Sequence, residues 1–116
     1  MRALITVSLA LNIAVLVPVC YGLLTRAGWA DAAYGPDTPA RGILLSVYLA
    51  ILLGSAALLL KPIPAMVAAL LAVQIVYKLT TPFTVGSISN PVVLSNLGIA
   101  AVHALTLATI WREIKP

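Results

Sequence analysis

The side chains best placed for chemistry in this sequence are polar ones set inside long apolar runs: Ser8, Asn12, Tyr48, Ser55, Gln74, Lys78, Ser95, Asn96 and His103. Polar groups are costly in such surroundings and usually face a protein interior or a watery cavity. Gln74 and Lys78 stand four residues apart and share a helix face, while Arg41, Tyr48 and Ser55 recur every seven and form one stripe. Facing each other, and joined by Asn96, these stripes would make a cationic, hydrogen-bonding pocket. Its chemistry would suit an anionic or carbonyl-bearing amphiphile such as a lipid headgroup or a quinone. The simpler reading, which we prefer at this level, has Lys78 snorkelling to the headgroups, Tyr48 in an aromatic belt, and Gln74 and Asn96 bonding across helices. Asn12 and His103 lie nearer the middle or inner half of their runs and are candidate buried polar residues. His103 falls beside Ala100 and Ala104 and should point inward as a helix-bonding histidine rather than as a proton relay or a metal or haem ligand.

Catalytic constellations do not emerge. Both aspartates lie between the first two runs, far along the chain from His103, so no Ser, His, Asp triad assembles. Paired carboxylates, a glycine-rich phosphate loop and a metal-ligand cluster are likewise absent from the sequence. The single cysteine, Cys20, has no second thiol to exchange with and reads as a small buried hydrophobe. We therefore expect no catalytic residue, no cofactor and no bound metal, and not an enzyme.

The elements that must position these side chains follow from hydropathy. Apolar runs occupy residues 3–25, 43–60, 63–81 and 92–111, and each matches the roughly 17–25 residues that cross a hydrocarbon core as a helix. The expected fold is an all-α integral membrane protein, one compact bundle of four transmembrane helices making a single domain over residues 1–116. The first run is too long for the apolar stretch of a signal peptide, with Gly28 and Ala30 the small residues that reading would need. Thr38-Pro39 and Asn90-Pro91 each set a capping oxygen before a proline, a helix-start signal. Pro18 should kink the first helix and turn that stretch toward protein.

Composition agrees. The chain is 62% hydrophobic and only 9% charged, with a mean hydropathy of +1.10, which excludes an ordinary soluble domain. The seven basic residues behind its +4 charge are scattered singly, so a nucleic-acid surface is not expected. Counting Lys and Arg, Arg2, Lys61, Arg112 and Lys115 fall on one side and Arg26, Arg41 and Lys78 on the other. This places the protein as multi-pass in the cell membrane with both termini cytoplasmic.

The stretch from Tyr34 to Gly42 reads as a proline-stiffened turn with Asp37 and Arg41 at ion-pair spacing, near Trp29 and Tyr34, which could rest at the membrane surface. Small residues at a spacing of four (Ala10 and Ala14, Ala50 and Gly54, Ala65 and Ala69, Ala68 and Ala72, Ala100, Ala104 and Ala108) should allow close helix packing, within one chain or between chains. Four short spans in one small chain is similar in size to the small multidrug-resistance transporters, a likeness that would imply a dimer with a glutamate buried in the first span. Residues 3–25 hold no acid, so the resemblance is one of size alone. The function expected is an accessory or structural subunit of a membrane complex, or a self-associating bundle, with other membrane chains or its own copies and the lipid bilayer as partners. The alternative is an oligomeric binding or transport protein for a small lipophilic or anionic molecule, using Arg41, Tyr48, Gln74, Lys78 and Asn96.

Overall fold

The computed structural model describes residues 1–114; Lys115, counted above among the basic residues, lies outside them. The described residues form five helices: α1 (Arg2–Leu24), α2 (Gly28–Tyr34), α3 (Pro39–Leu60), α4 (Pro64–Val85) and α5 (Pro91–Ile114). All but α2 are long and apolar enough to cross a membrane, since 22 helical residues rise about 33 Å.

Boundaries differ from the apolar runs where polar chemistry extends the helix. α3 starts at Pro39 rather than at residue 43, because the Thr38 hydroxyl accepts from the Arg41 amide at 3.5 Å and Pro39 suits the first helical position. Asn90 does the same for α5, its Oδ1 accepting from the Val92 amide at 2.8 Å. α4 runs past residue 81 and through Pro82 to Val85. Pro82 cannot donate to the Lys78 carbonyl, and the Thr81 hydroxyl does so instead at 2.8 Å, which keeps that carbonyl satisfied. Gly86 then ends the helix with a φ of 76°.

The structure adds detail to the sequence reading at two places. The connection from 28 to 42 contains the short helix α2, whose seven residues are too few to show a hydropathy period. Pro18 leaves α1 continuous, and its own side chain is exposed while Leu16 and Cys20 beside it are buried.

α1 packs mainly on α3, and α4 mainly on α5; the α1/α5 and α3/α4 seams are thinner. The long helices alternate in direction, with Met1, the turn at 61–63 and Arg112 at one end. α2 covers the other end, held to the turn before α5 by the Asn90 side-chain amide donating to the Ala33 carbonyl at 3.1 Å. An apolar cluster around Leu9, Val67, Leu71 and Ile110 fills the terminal end, and a second around Leu16, Cys20, Ala30 and Ile51 fills the α2 end. A polar layer separates them.

The small-residue faces do not hold this bundle together. Ala10, Ala14, Ala50, Ala65, Ala69, Ala104 and Ala108 are exposed, and of the set only Ala100 is buried. A spacing of four marks a helix face without saying which way it turns. The inward faces carry the polar residues, whose unmet hydrogen bonds would cost more outside than a methyl group does.

Candidate functional site

Lys78 sits seven residues before the end of α4, and its side chain turns inward toward α5, leaving the residue 5% exposed. It does not snorkel: the continuation of α4 to Val85 places it two turns inside the helix. Its Nζ donates to Asn96 Oδ1 at 3.4 Å and lies 4.8 Å from the centre of the Tyr77 ring. Among the described residues no carboxylate pairs with it, so two of its three N–H donors have no protein acceptor. Asn96 is held from both sides, its Nδ2 donating to the Thr81 hydroxyl at 3.4 Å.

Lys78 and Asn96 form part of the wall of a cavity of about 440 Å³ in the α1/α5 seam. The rest of its wall is mostly apolar, with Val15 and Val19 from α1 and Trp29 and Ala33 from α2 above, and Ser95, Tyr34 and Tyr48 as the other polar side chains. A second cavity of about 420 Å³ lies in the α3/α4 seam, lined by Leu44, Tyr77, Thr81 and Val85. Tyr34, Tyr48 and Asn96 line both. The rings of Tyr34 and Tyr48 meet edge to face, with centres 6.0 Å apart. Burial first, and then the neighbouring Tyr48 phenol, push the Tyr34 phenol above its ordinary range, so it stays a neutral hydrogen-bonding group. The Tyr77 hydroxyl is buried with no partner. Both cavities have the size of small-molecule sites, which are mostly apolar with a few convergent polar groups.

The five residues of the predicted pocket therefore divide. Tyr48, Lys78 and Asn96 come together at the cavities, whereas Arg41 and Gln74 line neither. Residues seven apart on a helix are separated by about 10.5 Å, so Arg41, Tyr48 and Ser55 cannot serve one small pocket. The two predicted stripes meet only where Tyr48 and Lys78 line the first cavity, since Ser55 bonds to α1 and Lys78 to α5. Gln74 is fully buried, donating to its own helix at the Leu70 carbonyl at 3.3 Å, with Oε1 unpartnered.

Arg41 works as a clamp on α2. Its guanidinium is buried and donates to the Asp31 carboxylate and to the Gly35 carbonyl at 2.8 Å. The Asp37 pairing read from the four-residue spacing is the longer one, at 3.9 Å, because Arg26 holds Asp37 from the other side. Arg26 itself closes α1 in the left-handed region with a φ of 56°, and the Ala27 amide donates back to Gly22 at 2.9 Å.

The mid-bundle polar layer ties three long helices. Asn12 Nδ2 donates to Ser55 Oγ at 3.0 Å, so Asn12 Oδ1 faces His103 as an acceptor, and His103 Nε2 donates to it at 2.9 Å. His103 Nδ1 is left as a buried acceptor with no partner. Further toward the termini the Ser8 and Thr106 hydroxyls lie 2.6 Å apart. Thr106, Asp31, Tyr34 and Tyr77 were not among the sequence candidates. The one signal available was the three-residue step from His103 to Thr106, which keeps both on one helix face. No group of three or more His, Cys, Asp or Glu side chains able to hold a metal occurs among the described residues. No family model matches the chain, and no curated protein or solved structure is significantly similar to it.

Proposed function

We propose that this chain is a multi-pass membrane protein that binds an amphiphile with an anionic head, seating the head at Lys78 and Asn96. One observation carries the reading: Lys78 is almost fully buried, lacks an acidic partner among the described residues, and opens on a cavity with mostly apolar walls. A buried cation without a counter-charge is expensive, and a ligand anion repays that cost with charge-assisted hydrogen bonds. The apolar walls select a ligand with a hydrocarbon body over a soluble ion. No catalytic step belongs to this reading.

In the proposed orientation the termini are cytoplasmic and α2 lies at the opposite surface. Arg2, Lys61 and Arg112 stand at the terminal end and Arg26 and Arg41 at the other, while Lys78 is withdrawn into the bundle and no longer counts. The cavities then lie in the outer half of the bilayer.

The test is native mass spectrometry in an uncharged detergent, with phosphatidylglycerol, phosphatidylcholine and a short-chain benzoquinone added in turn. Phosphatidylglycerol should be retained preferentially, Lys78→Gln should weaken it about tenfold or more, and Lys78→Arg should retain it, since a charge-assisted bond contributes about 1.5–3 kcal/mol. Equal retention by Lys78→Gln, or preference for the neutral quinone, overturns the anionic site. A second reading, an accessory or self-associating subunit, has its own support in the exposed small-residue faces of α1, α3, α4 and α5. Companion chains or extra copies at fixed stoichiometry in the same spectra would favour it.

A further inference from the structure

The two cavities are not independent. The first lies in the α1/α5 seam and the second in the α3/α4 seam, the two places where the long helices are loosely joined. Between them stands a polar septum in which Asn96 accepts from Lys78 on one side and donates to Thr81 on the other. Ala33 and Tyr34 of α2 roof both. The result is a slot across the α2 end of the bundle, divided by Tyr48 and Asn96, which line both cavities, with Lys78 on the side of the first.

Resting on the anionic site proposed above, we infer that its occupant is a two-chain anionic lipid that straddles this septum, with one hydrocarbon chain in each cavity. The head is fixed by charge: among the described residues Lys78 is the one cation lining the slot. The number of chains is fixed by shape. The cavities are nearly equal, about 440 and 420 Å³, both are predominantly apolar, and they share a wall at Tyr34, Tyr48, Val92 and Asn96. A one-chain amphiphile would fill one and leave the lining of the other without contact atoms, losing that dispersion energy. The second cavity also holds the unpartnered Tyr77 hydroxyl, a donor for an ester carbonyl near the head of such a lipid. Because the slot lies in the two thin seams, the chains pass in sideways from the bilayer, and the α2 roof, clamped by Arg41, stays in place.

The experiment compares dioleoyl phosphatidylglycerol, its one-chain lyso form and oleate by native mass spectrometry of the full chain in uncharged detergent. The two-chain lipid should bind about tenfold or more tighter than either one-chain probe. Ser95→Trp, at an exposed position on the first cavity, and Val85→Trp, at an exposed position on the second, should each bring the two-chain lipid down toward the lyso value. Lyso binding should change much less, because one cavity remains open. Equal affinity for one-chain and two-chain probes, or two Trp variants that bind the two-chain lipid like the parent, overturns the straddling lipid while leaving the Lys78 site standing. Loss of every Lys78→Gln effect, by contrast, removes the site itself.

Discussion

Asn12 is the residue whose removal tests the mid-bundle polar layer. It donates to Ser55 at 3.0 Å and accepts from His103 at 2.9 Å, so replacing it with leucine deletes two interhelical hydrogen bonds of the α1/α3 and α1/α5 packing. Such bonds between apolar helices average about 0.6 kcal/mol each. The larger cost comes from the partners left behind. Ser55 can turn to the carbonyl one turn earlier on its own helix, but His103 is fully buried and its Nδ1 already lacks a partner. Stranding its Nε2–H as well adds about 1–3 kcal/mol. Asn12→Leu should therefore destabilise the bundle by about 2–4 kcal/mol. His103→Leu removes the stranded donor, so the double variant should recover about 1–2 kcal/mol relative to the sum of the single changes. Reversible unfolding in mixed micelles, followed by helical circular dichroism, measures all four corners of the cycle. A single Asn12→Leu change below about 0.5 kcal/mol, or strict additivity of the pair, would refute the assignment of this layer as a coupled network.

Two further predictions concern the α2 end. Arg41→Gln leaves Asp31 without its buried partner and loosens α2, costing about 1.5–3 kcal/mol; amide hydrogen exchange in residues 28–34 should rise while the mid-helix amides of α4 and α5 stay protected, and uniform exchange would contradict the clamp. A β-carbon added at Gly22 would lie 1.9 Å from the Trp29 ring, so Gly22→Ala must displace the indole from the first cavity. In a Trp111→Phe background the Trp29 emission should shift, and an unchanged spectrum would place the indole elsewhere.

How much of this was legible beforehand can be judged residue by residue. The number and approximate extent of the four long helices followed from hydropathy, because length and apolar content are properties of contiguous chain. The caps at Thr38 and Asn90 were equally legible, since each depends on a side chain bonding an amide two or three residues away. The seven-residue spacing of Arg41, Tyr48 and Ser55 correctly put three buried residues on one face, yet it could not say that they serve an α2 clamp, a cavity wall and a core hydrogen bond. The spacing of the small residues was likewise correct as a pattern, but it left open whether those faces pack within one chain or between chains, and within this chain most of them turn outward.

Local chemistry thus determined which segments are helical, where they start and which side chains share a face. The tertiary structure alone decided that polar rather than small residues point inward, that Lys78 meets Asn96 instead of the surface, and that Asp31 rather than Asp37 is the principal partner of Arg41. The physical reason is that a helix's rotation about its own axis depends on the partners its neighbours offer. Those partners, Asn12 to His103 and Ser8 to Thr106, are about ninety to a hundred residues apart in the chain and become neighbours only when the helices close into a bundle, as interhelical bonding requires.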